Sequence, residues 1–463
     1  MDAVIGNRLW GDDGLAGVQW ALLDPQPQAV LRDALGALLP DAGMLGDCRL
    51  HRAKYKPGRR LTTYYAVAVR DSATGAEHTR QIEVNWRPSA GKDPRGAMPE
   101  LLKLQAEACD RGLTHPFHAL LGEVLEWGMY IQVAPLDEGF PQLIRASDPA
   151  YVREMLAGAD VASADNYAVT AIRYRPGQRH VLRYDPADAA DRPAGDGTVF
   201  AKIYNSDKGA RTFGVVTRMA EWLDAQGNGL TTVRPQAYIA GDGAVLYPYV
   251  SGTPLSDLLR APGGEPADLL QRAGAALAAL HRAPTTLVDL QPHSFAKEIK
   301  SITSAGEHVR PLLPEAGAQI AAILERAQAL HERLPQEQPG FTHGDFKADH
   351  LWVTADGMTL LDFDTCYLFD PAIDLGKFLA DLHYWYDRYG LSGVAEAREQ
   401  FLAGYGPGAS SERLLRAQLY EALVLIKTTV RRVRLFERDW AERTARLIDR
   451  AAALLHELEY QPA

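Results

Sequence analysis

The chain has 463 residues, with 49 Lys and Arg against 59 Asp and Glu, a formal net charge of −10. Its 46% hydrophobic and 23% charged residues exclude a disordered chain, a collagen-like repeat and a disulfide scaffold, and its length suits two or three domains. The acidic balance argues against general affinity for nucleic acid or an anionic membrane, while leaving room for a local basic cleft.

The first residues, MDAVIGNRLWGDDG, lack the basic and apolar regions of a secretory leader, and no run of 18 apolar residues follows, so no membrane span is expected. Cys48, Cys109 and Cys366 show no CxxC spacing, which fits a reducing cytoplasm better than a disulfide framework. Residues 50–70, HRAKYKPGRRLTTYYAVAVR, read as two strands about a Pro57–Gly58 turn. Residues 171–185, AIRYRPGQRHVLRYD, repeat that pattern at a shift of 119. Tyr55 falls on Tyr174, Pro57–Gly58 on Pro176–Gly177 and Tyr65 on Tyr184. The same shift lays RQIEVNW (80–86) on VFAKIYN (199–205), and the helical segment 98–112 on 217–227. Strand-like segments 122–135 and 235–250 follow. We read a duplicated structural unit.

After about residue 255 the pattern turns helical: 265–283, 296–308, 313–335, 394–405 and 412–458 place apolar residues at helical spacing. Within this half, HLWVT (350–354) and MTLLDF (358–363) form a hairpin about Ala355-Asp356-Gly357.

The chemistry concentrates in 341–382, FTHGDFKADHLWVTADGMTLLDFDTCYLFDPAIDLGKFLADL. A hairpin brings its two ends together, so Asp345, His350 and Asp362 should surround one pocket, with Asp364 beside them. Acids crowded in this way repel one another unless a cation neutralises them, and oxygen-rich ligation suits Mg²⁺. Asp345, in the loop before the strand, is placed to orient or deprotonate a hydroxyl.

HGDFKADH, LLDFD and DPAIDL at these spacings resemble the catalytic segment of the aminoglycoside phosphotransferase-like, or choline-kinase-like, superfamily of small-molecule kinases. The close match covers about 40 residues. The resemblance implies an α+β, bilobal protein-kinase-like fold with a β-rich N-lobe and a mostly helical C-lobe, preceded by an extra N-terminal α+β domain that is a degenerate duplicate of the N-lobe. The expected domains are 1–160, 161–252 for the ATP-binding N-lobe and 253–463 for the helical C-lobe. By resemblance, Asp345 faces the acceptor hydroxyl, His343 is the scaffold His of the loop, and Asp362 binds the metal. Asp374 steadies the loop from a helix start, and Lys347 meets the transferring phosphate. His350 stands where the family has an Asn. Imidazole is a poorer Mg²⁺ ligand than an amide oxygen, so His350 is expected either to bind the metal in place of Asn or to contact phosphate.

The second β-rich copy fits the ATP-clamping lobe. Of only 11 Lys against 38 Arg, Lys202 stands mid-strand in VFAKIY and needs an acidic partner if buried. Glu221, the first acid of the following helix, resembles the Glu of a kinase Lys–Glu pair. The turn holding Gly177 and Gln178 would cover the phosphates, and the backbone at Tyr247, Tyr249 and Val250 would hydrogen-bond adenine. At the 119 shift Glu83 matches Lys202, so the first copy should not bind ATP in the same way. The Arg-rich stretch around Arg432 and the aromatic run 383–389 read as helix faces, the former solvated and the latter half-buried. The expected activity is ATP- and Mg²⁺-dependent phosphoryl transfer to a hydroxyl of a small molecule such as a sugar, amino alcohol or antibiotic. Its rivals are a non-catalytic nucleotide-binding scaffold and a metal-dependent hydrolase.

Overall fold

The computed structural model describes residue 9 and residues 14–71, 75–87, 98–261, 266–406 and 409–460. Most of the stretch read for a leader lies outside them. Among the described residues no helix is long and apolar enough to cross a membrane, and the three cysteines are free thiols. The chain forms two compact units. The first comprises residues 1–213, 235–249 and 434–437, and the second 214–234, 250–433 and 438–463. Both β-rich copies therefore share one unit, and residue 160 is not a boundary between units.

In the first unit, β1 (Leu45–Lys56), β2 (Arg60–Arg70), β3 (Glu77–Trp86), β4 (Leu121–Val124) and β5 (Met129–Val133) form a sheet of order β1-β2-β3-β5-β4. A helix, Met98–Asp110, follows β3. The second sheet begins with β6 (Tyr167–Arg173), β7 (His180–Pro186) and β8 (Val199–Ile203). After the helix Lys208–Gln226 and β9 (Leu230–Thr232), which belongs to the second unit, it is completed by β10 (Ala237–Ile239) and β11 (Ala244–Pro248). Its order is β10-β11-β8-β7-β6. Read from either edge, the two sheets have one topology: three antiparallel strands, a helix, and a returning hairpin inserted beside the third strand. Both returning hairpins turn through a short 3₁₀ segment that ends on a left-handed glycine, Gly128 and Gly243.

The pairing corrects one residue match. Leu61 pairs with Trp86 in the first sheet, and His180, its equivalent at the 119 shift, pairs with Ile203 in the second. The third strands are thus offset by 117, so Asn85, not Glu83, occupies the position of Lys202. Side chains on a strand alternate with a period of two. A slip of two keeps every residue on its face, which is why the ungapped match looked consistent.

Val199, Ala201 and Ile203 of β8 are buried, while Phe200 and Lys202 point to the other face. The buried face packs with Leu182, Tyr184 and Leu246 against Phe140, Leu143, Val152 and Leu156.

The second unit is mostly helical, with two small sheets. β12 (Thr253–Pro254), β14 (Leu351–Thr354), β15 (Gly357–Leu360) and β9 form one, in the order β12-β14-β15-β9, and β13 (Gly340–Thr342) pairs with β16 (Tyr367–Phe369). The β14–β15 hairpin is two-residue, Thr354 facing Gly357. Behind it run the helices Ala372–Tyr389, Ser411–Arg431 and Trp440–Glu459, each with a broad apolar face turned into the core.

Candidate active site

The site lies in the second unit, where β13 delivers the loop 343–347 and the β14–β15 hairpin returns the chain at Asp362. His343 is fully buried. Its Nε2 donates to the carbonyl of Leu361 (3.1 Å) and its Nδ1 accepts from the backbone N–H of Asp345 (3.3 Å). Burial pushes its pKa down, so the ring is a neutral strut between the loop and the hairpin. Gly344 has φ +75°, and a Cβ there would sit 2.6 Å from the carbonyl oxygen of Thr365, so the bend needs glycine. Asp374, in the first turn of the helix Ala372–Tyr389 and fully buried, accepts the backbone N–H groups of His343 (2.7 Å) and Gly344 (2.8 Å). It also accepts from His281 Nε2 at 3.3 Å. One carboxylate therefore fixes two consecutive peptides of the loop, each bond strengthened by its charge.

Both oxygens of Asp345 meet an ammonium: Lys347 Nζ stands 2.7 Å from Oδ2, and Lys377 Nζ 3.3 Å from Oδ1. Burial alone would raise the Asp345 pKa, but the lysines, Lys377 foremost, outweigh it and hold the carboxyl well below the usual range. Such an anion is a weak base, better suited to orienting a hydroxyl than to removing its proton early.

His350 Nδ1 donates to the backbone carbonyl of Asp345 at 3.0 Å. Burial lowers its pKa to about 3, so the ring is neutral and Nε2 carries a lone pair. Nε2 lies 3.6 Å from Asp362 Oδ2. Two acceptors facing each other at this distance are mutually repulsive unless a cation joins them. Asp345, His350 and Asp362 each offer a ligand atom, all within 4.8 Å of one another, so the donor set fits a divalent ion. Asp362 is one of two described non-glycine residues at positive φ (+66°), a conformation retained at a cost and common where a side chain must be aimed.

The structure thus brings together His343, Asp345, Lys347, His350 and Asp362. Asp364 is not part of this ligand cluster among the described residues; it lies inside the 3₁₀ turn Phe363–Thr365. The carboxylate of Glu221 is 57% exposed and bonds Arg234 at 2.8 Å, so its helix presents it to solvent. Gly177, expected to cover phosphates, donates its N–H to Asp137 Oδ2 at 2.8 Å; neighbouring Gln178 lines a cavity beside the first sheet. Lys202 sits mid-strand on β8, opposite Val181 and Val245. Tyr247 faces Phe200 across β11 and β8, Tyr249 is 42% exposed, and Val250 follows it.

Lys377 was not singled out from sequence. Its signal was a lysine one turn after Asp374 and one turn before Asp381 in the otherwise apolar stretch 372–382 of the helix. Arg432 was read as solvated, yet its side chain is 26% exposed and pairs with the buried Asp381 at 2.9 Å. It also stacks over Tyr384 and Trp385, 5.0 and 5.3 Å from their centroids.

The model of the family described as "Phosphotransferase enzyme family" matches residues 158–416. Among solved structures, the chain is similar to the GDP complex of an aminoglycoside 2'-phosphotransferase-IIIa mutant, at 16% identity over 66% of this chain and 97% of that one, with a TM-score of 0.45. It is similar to a choline/ethanolamine kinase family protein from Mesorhizobium loti at 16% identity over 66% and 99%, TM-score 0.45. It is also similar to a Plasmodium vivax ethanolamine kinase at 10% identity over 66% and 90%, TM-score 0.47. No curated protein matches.

Proposed function

Since the chain belongs to the phosphotransferase enzyme family, matched over more than half its length, we propose that it transfers the γ-phosphoryl group of ATP to a hydroxyl of a small molecule. The observation that carries this is the convergence of Asp345, His350 and Asp362 within 4.8 Å, with the His350 lone pair and the Asp362 carboxylate turned toward each other and Lys347 beside them.

Asp362 and His350 would hold a divalent cation, Mg²⁺ in the cell, which neutralises phosphate charge. Asp345 accepts the acceptor's O–H and aligns its oxygen for attack on phosphorus. The new O–P bond forms as the bond from phosphorus to the β,γ-bridging oxygen breaks, and the hydroxyl proton leaves through Asp345 to solvent. Lys347, already on Asp345, offers its charge to the equatorial oxygens as they spread. Lys377 keeps the second Asp345 oxygen engaged so that the first points to the acceptor. Most of the acceleration comes from positioning and charge neutralisation, since phosphoryl transfer asks little covalent work of the protein. The resemblance adds Lys202 as a contact to the α- and β-phosphates and the backbone at 247–250 as an adenine contact, each separately testable.

Mn²⁺ binding followed by electron paramagnetic resonance, with ADP release from ATP over a panel of hydroxyl compounds, tests the reading. Asp362→Asn is expected to abolish Mn²⁺ binding and turnover together. Undiminished ion binding and turnover in Asp362→Asn would exclude it.

A further inference from the structure

The first β-rich copy carries a cavity of about 750 Å³ of its own, lined only by residues of the first unit. It lies over the face of the first sheet that bears Asn85, the equivalent of the Lys202 face in the second. Directly paired residues share a face, so equivalent positions can be compared one by one. Around Lys202 stand Val181, Phe200, Val245 and Tyr247; their equivalents around Asn85 are Thr62, Glu83, Tyr130 and Gln132. A largely apolar surface has become one of hydrogen-bonding groups. It no longer suits a flat, weakly polar base, and it does suit a hydroxylated body.

The cavity is also electrically polarised. At one end the β2–β3 register that pairs Leu61 with Trp86 and Thr62 with Asn85 places Arg60 opposite Arg87, and Lys54 pairs with Thr62 in the adjoining row. Like charges directly opposite on neighbouring strands repel, and the Nε of Arg87 is buried without a hydrogen-bond partner among the described residues. The Arg60–Arg87 row holds no acid, whereas the Lys54 row runs on through Thr62, Asn85 and Tyr130 to Glu123 on β4, so the cationic charge is concentrated at Arg60 and Arg87. At the other end the acids Glu83 and Asp137 are already engaged. Glu83 accepts from Asn85 Nδ2 at 2.5 Å. Asp137 accepts from the N–H groups of Gly139 and Gly177 and lies 2.8 Å from His180 Nε2. Glu138 lines this same end, and Glu123 stands two strands away from β3, on β4.

We propose that this cavity binds a hydroxyl-bearing phosphate monoester, with its phosphate between Arg60, Arg87 and Lys54 and its hydroxyls on Asn85, Tyr130 and Gln132. The volume is that of an ordinary small-ligand pocket, and the body of a sugar phosphate spans it from the cationic row to the carboxylates. The site stands apart from the proposed reaction: it needs neither Asp345 nor Asp362, so it can be tested in their absence.

The test is calorimetric titration of the full chain carrying Asp362→Asn with glucose 6-phosphate, ADP and inorganic phosphate, repeated with Arg60→Gln or Arg87→Gln added. Glucose 6-phosphate is expected to bind at one site, more tightly than inorganic phosphate. ADP, whose proposed contacts are Lys202 and the backbone at 247–250, should bind unaffected by the Arg substitutions and leave glucose 6-phosphate in place. Each Arg variant should weaken it about tenfold or more, the loss of a charge-assisted bond, with an unchanged melting temperature and unchanged basal ATP turnover when placed in the otherwise native chain. Lys54→Gln serves if an Arg variant fails to fold. Binding indifferent to all three substitutions, no binding of glucose 6-phosphate at millimolar concentration, inorganic phosphate binding as tightly as the sugar phosphate, or ADP displacing glucose 6-phosphate at equal concentration would overturn the proposal.

Discussion

Replacing Lys377 by Met keeps the volume of the side chain and removes its charge from between Asp345 Oδ1 (3.3 Å) and Asp381 Oδ1 (3.8 Å). Stripping one partner from a buried ion pair costs about 3–5 kcal/mol. Here neither carboxylate is left bare, since Lys347 remains 2.7 Å from Asp345 and Arg432 2.9 Å from Asp381. The stability loss should therefore be about 2 kcal/mol, close to one charge-assisted hydrogen bond. The catalytic loss has a separate origin. Without Lys377 the carboxylate of Asp345 can swing toward Lys347, and a misplacement of about 1 Å costs on the order of 10²-fold in rate. Urea denaturation gives the first quantity, and kcat and KM for ATP measured apart give the second. The fall should sit in kcat, with KM for ATP nearly unchanged. Wild-type kcat in Lys377→Met, or a loss confined to KM, would refute the reasoning.

Asp374→Asn should destabilise the chain by about 2–3 kcal/mol and depress kcat, because a neutral amide offers one oxygen where the carboxylate accepts from two backbone N–H groups; an unchanged urea midpoint would contradict this. His350→Asn should retain turnover while His350→Ala loses it, since an amide can both donate to the Asp345 carbonyl and ligate an ion; equal activities in the two variants would remove His350 from the site. Acid stability should depend on Glu298. Burial would raise its pKa, but His293 (2.6 Å) and Lys427 (2.6 Å) overcome that and hold it down to about 2. A depressed carboxyl contributes stability that is full above its unfolded value of 4.5 and lost as pH falls toward 2. Between those limits the native chain should lose about 3 kcal/mol that Glu298→Gln does not, and matching pH–stability slopes would count against it.

The catalytic segment was legible because its chemistry is local. Asp345, His350 and Asp362 are joined by one hairpin whose turn and strands follow from ten consecutive residues, so sequence spacing becomes spatial proximity. Asp364 sits in a 3₁₀ turn directly after Asp362, a change in backbone period that sequence spacing does not show. Lys377 and Arg432 were hidden since they reach the site across helix packing, where sequence separation holds no distance information. Glu221 shows the same limit in reverse: being the first acid on a helix says nothing about the helix's rotation. The duplication was visible as a repeat of strand and helix types, and the sheets share one topology. Its residue match slipped by two, an error that strand alternation cannot expose.

The central claim is that Asp345 faces the acceptor hydroxyl in a phosphotransferase. Its most direct test is acceptor-dependent ADP release by the native chain against Asp345→Asn, whose side chain has the same shape without the charge. The account predicts a fall of about 10²–10⁴-fold in kcat with ATP binding retained. Equal acceptor-dependent turnover in the two proteins would contradict it.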